Sequence, residues 1–186
     1  MITCEGTLSY IALFEPKATP SGDVKYSCAF LIPKEDKQGL KEIRDAIQKA
    51  VEKGVEINKF PKTMIPSLRL PLRDGDEEAA AGTRGKEFEG FMFFNCSSVN
   101  PPGVVGPNAK PLMDEQDIYS GCVGRLDVNF FPYNAAGNRG VGVGLNNVMK
   151  VRDGERLDGR LKPEDAFAAH AKEEAEGKFT DDDIPY

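Results

Sequence analysis

Basic and aromatic side chains alternate along a proline-rich stretch near the middle of the chain. Lys59, Phe60 and Lys62 follow one another closely, and Arg69 and Arg73 come a few residues later. Lysine and arginine bind phosphate groups and release their counterions, whereas a phenylalanine ring can stack on any nucleobase. This stretch therefore predicts phosphate and stacking contacts, unless it is simply a solvated loop. The predicted contact residues are Phe60, Lys62, Arg69 and Arg73.

A second set of candidates lies on the segment that ends at Tyr133. Residues 122–133 read as a strand, whose side chains point alternately to opposite faces. One face is ordinary core, with Leu126, Val128 and Phe130. The other face carries two rings beside a cation, which suits a stacking platform for unpaired bases. A helix or a partner subunit that buries this face would explain the rings equally well. The predicted contact residues here are Arg125, Phe131 and Tyr133.

A strand predicted over residues 87–97 contains four phenylalanines. Phe91 and Phe93 share one face, whereas Phe94 and Cys96 share the opposite one. One of these faces must be core, but alternation alone does not say which. The predicted contacts on and around this strand are Lys86, Phe91 and Phe93. Arg139 is a further candidate, at the end of the groove that these contact residues would form.

The chain ends in three carboxylates followed by a short apolar plug, residues 181–186. Three adjacent charges cannot be desolvated in a core, but an Ile-Pro-aromatic tip with a terminal carboxylate suits a basic, partly apolar pocket. The ending resembles the acidic tip of bacterial single-stranded DNA-binding proteins, usually Asp-Asp-Asp-Ile-Pro-Phe. This resemblance implies docking to replication or recombination enzymes, whereas a disordered, solubilising tail is the plainer alternative. The predicted docking residues are Asp181, Asp182, Asp183, Ile184, Pro185 and Tyr186, the last in place of phenylalanine.

The net charge of −6 is concentrated in this tail. Residues 163–186 carry eight acidic and two basic side chains, so residues 1–162 are neutral overall. A neutral body can still present a basic groove on one face. We therefore predict a folded domain over residues 1–162 and an acidic tail with a partner-docking tip over residues 163–186.

Five strand-like segments and one helix account for most of the predicted domain. The strands cover residues 3–14, 25–32, 87–97, 122–133 and 139–151, and the helix covers residues 37–53 with Gly54 as its stop. At this strand count a closed barrel protects its edges best. The predicted fold is therefore mainly β: an oligonucleotide-binding (OB) barrel of about five antiparallel strands with an inserted helix. An open sandwich fits the same pattern.

Other chemistry finds little support in the sequence. Gly140, Gly142 and Gly144 alternate inside a strand, so they do not predict a dinucleotide site, and no Gly-x4-Gly-Lys phosphate loop is present. Four widely spaced cysteines and one histidine favour reduced, mostly buried thiols over a metal site. Acidic clusters could gather Mg²⁺, which keeps a metal-dependent nuclease as a minor alternative. We predict no catalytic residue, no metal and no cofactor.

No run of eighteen apolar residues is present, and the first residues lack the basic and apolar regions of a signal peptide. The sequence thus predicts no membrane span and a cytoplasmic protein, located in the host-cell cytoplasm if the chain is phage-encoded.

The body also resembles a family of tailed-phage proteins that was once known only as a conserved domain of unknown function. The resemblance covers roughly residues 3–165 and rests on residues 29–33, 119–122 and 140–148. It implies an OB barrel that binds single-stranded DNA.

Together these patterns predict a non-enzymatic protein that binds single-stranded DNA without sequence preference, in phage replication, recombination or repair. Its tip would recruit partner enzymes, and its tail could compete with DNA for the groove. Self-association into a homo-oligomer is left open. The alternative from a different class is a protein-interaction adaptor that does not bind DNA.

Overall fold

The computed structural model describes residues 4–19, 22–114, 116–135 and 137–157. The strands are β1 (Gly6–Ala18), β2 (Val24–Pro33), β3 (Arg73–Asp74), β4 (Phe91–Ser98), β5 (Gly103–Val105), β6 (Val123–Ala135) and β7 (Asn138–Arg152). The helices are α1 (Lys37–Glu56) and α2 (Gly75–Ala80), with short 3-10 helices at Lys62–Ser67 and Lys86–Phe88. The predicted domain boundary, the acidic tail and its tip lie outside the described residues. None of the helices in the described residues has the length and hydrophobicity of a membrane-spanning segment.

Five of the strands close into a barrel. β2 pairs with β1 on one side and with β4 on the other, β1 pairs with β6, and β6 pairs with β7, all antiparallel. One parallel pair, Ser97 with Gly144, joins β4 to β7 and completes the circle. A five-stranded barrel of this kind is an OB barrel. The predicted mainly β OB fold is therefore confirmed, and the sheet is not an open sandwich.

The core fills the barrel and continues beneath α1. Phe30 of β2 and Phe94 of β4 point inward, with ring centroids 5.5 Å apart. α1 adds Ile43 and Ile47 from its apolar stripe and packs on β6 and β7. The Asp36 carboxylate caps the helix by accepting a backbone amide of the first turn. The helix therefore starts at the predicted residue and covers one part of the barrel.

Gly54 does not end α1, contrary to the prediction. The helix continues to Glu56. Gly54 is buried against the Phe60 ring, so closely that a Cβ on Gly54 would lie 2.3 Å from Phe60 Cζ. The glycine is needed for this close approach rather than for a left-handed cap. The same contact holds Phe60 in the core with 2% of its surface exposed, so its ring is not available for base stacking in this structure.

The proline-rich segment after α1 contributes to the barrel wall, which the sequence did not predict. Arg69 forms a bridge with Gly140 of β7, and Arg73 pairs with Phe93 of β4. Among the described residues, β4 and β7 pair with each other at a single position, Ser97 with Gly144. Residues 69–74 lie between these two strands where they are no longer paired. α2 and the second 3-10 helix follow and pack on β4.

Replacing Gly140 with alanine is expected to lower the free energy of unfolding by about 1–3 kcal/mol, because the site is already filled. The added Cβ would lie 2.1 Å from the carbonyl oxygen of Arg69, a main-chain atom that cannot rotate away. Urea denaturation measures the loss. Gly106→Ala is the matched control, since its Cβ would meet the flexible Leu112 side chain at 3.3 Å. Equal losses in the two variants would contradict this account.

The four cysteines are free thiols, and Cys28, Cys96 and Cys122 are buried. This agrees with the predicted set of reduced, mostly buried thiols. Cys28 and Cys96 pair across β2 and β4, with their Sγ atoms 3.4 Å apart. In the described part of the chain, no three histidine, cysteine or acidic side chains form a group suited to a metal ion.

Candidate nucleic-acid interface

The phenylalanines of β4 divide between the core and the outer surface. Phe94 and Cys96 point into the barrel, whereas Phe93 belongs to a separate cluster on the outside. Phe93 is nevertheless 0% exposed, because Phe88 of the second 3-10 helix packs on it with ring centroids 4.7 Å apart. Phe91 lies beside this pair and is half-buried. Both rings predicted as contacts are thus on the outer face, but the protein itself covers Phe93.

Two arginines lie over this outer cluster. Arg73 Cζ is 4.8 Å from the centroid of the Phe93 ring. Arg84 Cζ is 5.0 Å from the Tyr10 ring and 5.6 Å from the Phe93 ring. With its amide oxygen turned toward them, Asn95 accepts hydrogen bonds from Arg73 at 3.0 Å and from Arg84 at 3.2 Å. Cation–π contacts and hydrogen bonds therefore hold two positive charges on a largely apolar patch.

Tyr10 is the exposed ring of this cluster. It lies in an irregular part of β1, between the pairs Ser9–Ala29 and Ala12–Ser27, and its φ is +48°. This left-handed conformation is costly for a bulky residue, and strained residues cluster at functional sites. The ring is directed away from the core, with 52% of the residue surface exposed, so that it can stack on a base.

A carboxylate of α2 lies beside the arginines. Glu78 Oε1 is 2.8 Å from Arg73 Nη1, and Glu78 Oε2 accepts the Thr83 hydroxyl. The Thr83 hydrogen bond, followed by the charges of Arg73 and Arg84, lowers the pKa of Glu78 from its usual value. Glu78 is therefore ionised at neutral pH and partly balances the positive charge of this surface.

One lysine ties α2 to the end of β2. Lys34 Nζ is 2.5 Å from Asp74 and 2.6 Å from Asp76, and Asp76 also accepts the Gly90 amide at 2.6 Å. These hydrogen bonds raise the pKa of Lys34 and lower the pKa of Asp74 and of Asp76. Residues at both ends of the 74–90 segment are thus joined, which positions α2 and Glu78 over the outer face of β4.

The second exposed ring is Phe131 on β6, as the alternation of that strand predicts. A Cβ on Gly142 of β7 would lie 2.7 Å from Phe131 Cζ, so the missing side chain makes room for this ring. Phe131 is 42% exposed, whereas Leu126 and Val128 are buried in the core. Tyr133, on the same side of β6 as Phe131, is half-buried opposite the first residues of β7.

These rings lie on one continuous outer face of the barrel. Gly144 of β7 pairs both with Asn129 of β6 and with Ser97 of β4, and Ser97 pairs with Ser27 of β2. The surface between the rings therefore has a floor of small or polar residues. The second and third strands of OB barrels, here β2 and β4, commonly carry the oligonucleotide. We call this surface the ring-lined face, defined by Tyr10, Arg73, Arg84, Asn95, Ser97 and Phe131.

The other predicted contacts lie at the edges of this face or away from it. The Arg69 amide donates to the Arg139 carbonyl at 3.0 Å, which places both arginines at the β6–β7 hairpin. Arg125 lies toward the opposite end of β6 and forms an ion pair with Glu5 at 3.0 Å. The remaining two are exposed on the 3-10 helices: Lys62 and Lys86.

Sequence reasoning did not find Tyr10, Arg84 or Glu78. Arg84 stands between Gly82 and Gly85, just before the phenylalanine-rich strand, and this is a usable signal because the glycines let the arginine fold back. Tyr10 reads as an ordinary strand residue, since its irregular backbone is not visible in the alternation. Glu78 belongs to an acidic run, which reads as a solvated surface.

A family model described as the ssDNA-binding protein of Enterobacter phage Enc34 matches residues 1–179. The chain belongs to this family. Membership confirms the predicted resemblance to phage single-stranded DNA-binding proteins and the predicted non-enzymatic class. A relative in Acyrthosiphon pisum secondary endosymbiont phage 1, a protein designated p50, is 32% identical over 161 residues, which is 82% of this chain and 83% of that protein.

Two solved structures share the fold of this Enc34 family member. The single-stranded DNA-binding protein from bacteriophage Enc34, in complex with ssDNA, has a TM-score of 0.63 at 23% identity and covers 82% of this chain and 86% of its own. The single-stranded DNA-binding protein gp2.5 of bacteriophage T7 has a TM-score of 0.58 at 16% identity, and the match covers 98% of this chain and 96% of the T7 protein. These likenesses support the barrel fold.

Proposed function

We propose that this chain binds single-stranded DNA without sequence preference, in phage DNA replication, recombination or repair. The observation that carries the proposal is the ring-lined face, where the exposed rings of Tyr10 and Phe131 share one surface with Arg73 and Arg84. The family supports the same ligand, since the Enc34 protein is an ssDNA-binding protein. The site of action would be the cytoplasm of the host cell, because the family is a phage family.

Both base stacking and phosphate contacts would contribute to the free energy of DNA binding. Each base that stacks on Tyr10 or Phe131 contributes about 1–3 kcal/mol, and every base has a π-face, so no sequence preference is expected. Arg73 and Arg84 would neutralise phosphates of the same strand and release counterions. The floor of small residues between the rings lets the strand approach the barrel closely.

The remaining predicted contacts would extend this path. Arg69, Arg139 and Tyr133 lie at the hairpin end, and Phe91 lies at the start of β4. Arg125 would first have to exchange Glu5 for a phosphate, which reduces its net contribution. The exposed residues Lys62 and Lys86 would flank the strand. Phe60 and Phe93 are left out of the proposed contacts, because both are buried.

Fluorescence anisotropy of a labelled oligo(dT) at two salt concentrations tests the proposal. Binding is expected to weaken as salt rises, with a log–log slope of about −0.7 for each neutralised phosphate. An adaptor that binds only protein would leave the anisotropy unchanged at both salt concentrations. A metal-dependent nuclease would instead shorten the oligonucleotide when Mg²⁺ is added.

The acidic tail is proposed to compete with DNA and to recruit partner enzymes. Its eight acidic side chains form a tethered polyanion at high effective concentration. Deleting residues 178–186 is expected to tighten oligo(dT) binding at low salt and to abolish co-precipitation of replication enzymes. A control that changes Asp181, Asp182 and Asp183 to asparagine separates the charge from the apolar tip. Unchanged affinity together with retained co-precipitation would count against both roles.

A further inference from the structure

Glu78 makes the contacts that a bound anion would make. Its carboxylate is paired with the Arg73 guanidinium at 2.8 Å and accepts the Thr83 hydroxyl. The Thr83 amide donates to the Glu78 carbonyl at 3.0 Å, so the loop that carries Arg84 folds around this residue. On the other side, the Asn95 amide, with its oxygen turned toward the arginines, accepts a hydrogen bond from each guanidinium group.

We propose that Arg73, Arg84 and Thr83 form a phosphate-binding subsite that the Glu78 carboxylate occupies while the protein is free of DNA. This inference rests on the proposed function, because the phosphate would belong to the single-stranded DNA on the ring-lined face. A phosphate presents the same anionic oxygens to the guanidinium fork and to the hydroxyl. The incoming strand therefore exchanges a protein carboxylate for its own backbone.

The position of the subsite fits this exchange. Arg84 Cζ is 5.0 Å from the exposed Tyr10 ring, so a phosphate held by Arg84 would lie next to a base stacked on Tyr10. Glu78 cannot drift far from the arginines, because Lys34 anchors α2 through Asp74 and Asp76. The carboxylate thus competes with DNA at a fixed place and lowers the affinity of the free protein.

Glu78→Gln tests the subsite, because it removes the competing charge and keeps the side-chain volume and a carbonyl acceptor for Thr83. We expect this variant to bind oligo(dT) about three- to tenfold more tightly at low salt. Its log–log salt slope should be steeper by about 0.7, the value for one additional phosphate on single-stranded DNA.

Glu77→Gln is the matched control. Glu77 is the neighbouring residue on α2, it is exposed, and in the described structure its carboxylate pairs with neither Arg73 nor Arg84. The control removes the same charge from the same helix, so a purely long-range effect would be equal in both variants. Equal gains in the two variants, or weaker binding by Glu78→Gln, would overturn the subsite.

A second measurement does not depend on DNA binding. Titration with sodium pyrophosphate, followed through the side-chain Nε–H resonances of Arg73 and Arg84 by NMR, reports occupation of the subsite directly. We expect shifts at lower pyrophosphate concentration in Glu78→Gln than in the unchanged protein or in Glu77→Gln. If these shifts occur while oligo(dT) is not bound, the subsite stands and the proposed function fails. Identical titrations in all three proteins would refute the subsite whatever the DNA result.

Discussion

Phe131→Ala is expected to weaken oligo(dT) binding by roughly 5- to 150-fold, because it removes one base stack worth about 1–3 kcal/mol. The free energy of unfolding should change little. The Phe131 ring is 42% exposed and lies over Gly142 on the outside of the barrel, so its loss leaves no cavity in the core. Anisotropy titration measures the affinity, and urea denaturation measures the stability.

The matched control for this change is Phe131→Tyr. It keeps the aromatic face and adds only a hydroxyl at the solvent side, so binding should stay close to that of the unchanged protein. If the alanine variant binds within twofold of the unchanged protein, then Phe131 is not a stacking residue, and the ring-lined face ends before β6.

Tyr10→Ala and Tyr10→Gly are expected to lose DNA affinity equally and to differ in stability. Both remove the exposed ring, which costs one base stack and the cation–π contact with Arg84. The φ of +48° at this position strains alanine but not glycine. The glycine variant should therefore be more stable than the alanine variant by about 1 kcal/mol. Urea denaturation and anisotropy, run on the same two samples, separate the two effects.

The Tyr10 pair can also give two contrary results. If the glycine variant binds DNA much better than the alanine variant, the backbone conformation matters for binding rather than the ring. If the two variants are equally stable, β1 relaxes once the ring is gone, and the strain at this position is imposed by the ring itself.

The barrel could be predicted from sequence because its strands alternate clearly. On β6, Leu126 and Val128 are apolar where Arg125 and Asn129 are polar, so alternation sorts the faces and places Phe131 outside. The predicted strands and α1 also agree with the structure to within a few residues at most of their ends. Where a strand has one core face and one polar face, two-residue periodicity is sufficient.

The same reasoning could not resolve β4, because both of its faces are apolar. Phe94 points into the barrel and Phe93 points out, yet both are fully buried. Phe93 is buried on the outer face because Phe88 packs on it. Phe88 comes after β3 and α2 in the chain, and these two elements bring it back over β4. These elements are two and six residues long, too short for any periodic pattern to reveal.

Close packing explains two other departures from the sequence-based expectation. Gly54 reads as a helix stop, but the helix passes through it because the Phe60 ring needs the space of a missing side chain. The same packing removes Phe60 from the candidate contacts. Local sequence alone does not reveal either position, because both depend on a contact between the helix and the segment that follows it.

The position of residues 69–74 means that ligand binding should also raise the stability of the barrel. This segment spans the gap between β7 and β4, and it carries Arg69 and Arg73. A ligand held by these arginines would stabilise the part of the barrel wall between β4 and β7, so that DNA binding and folding are thermodynamically linked. A ligand at a hundred times its dissociation constant adds about 2.7 kcal/mol to the stability of the form that binds it. The DNA-bound protein would therefore resist heat and proteolysis better than the DNA-free protein, and protein in excess of the available DNA would be degraded first.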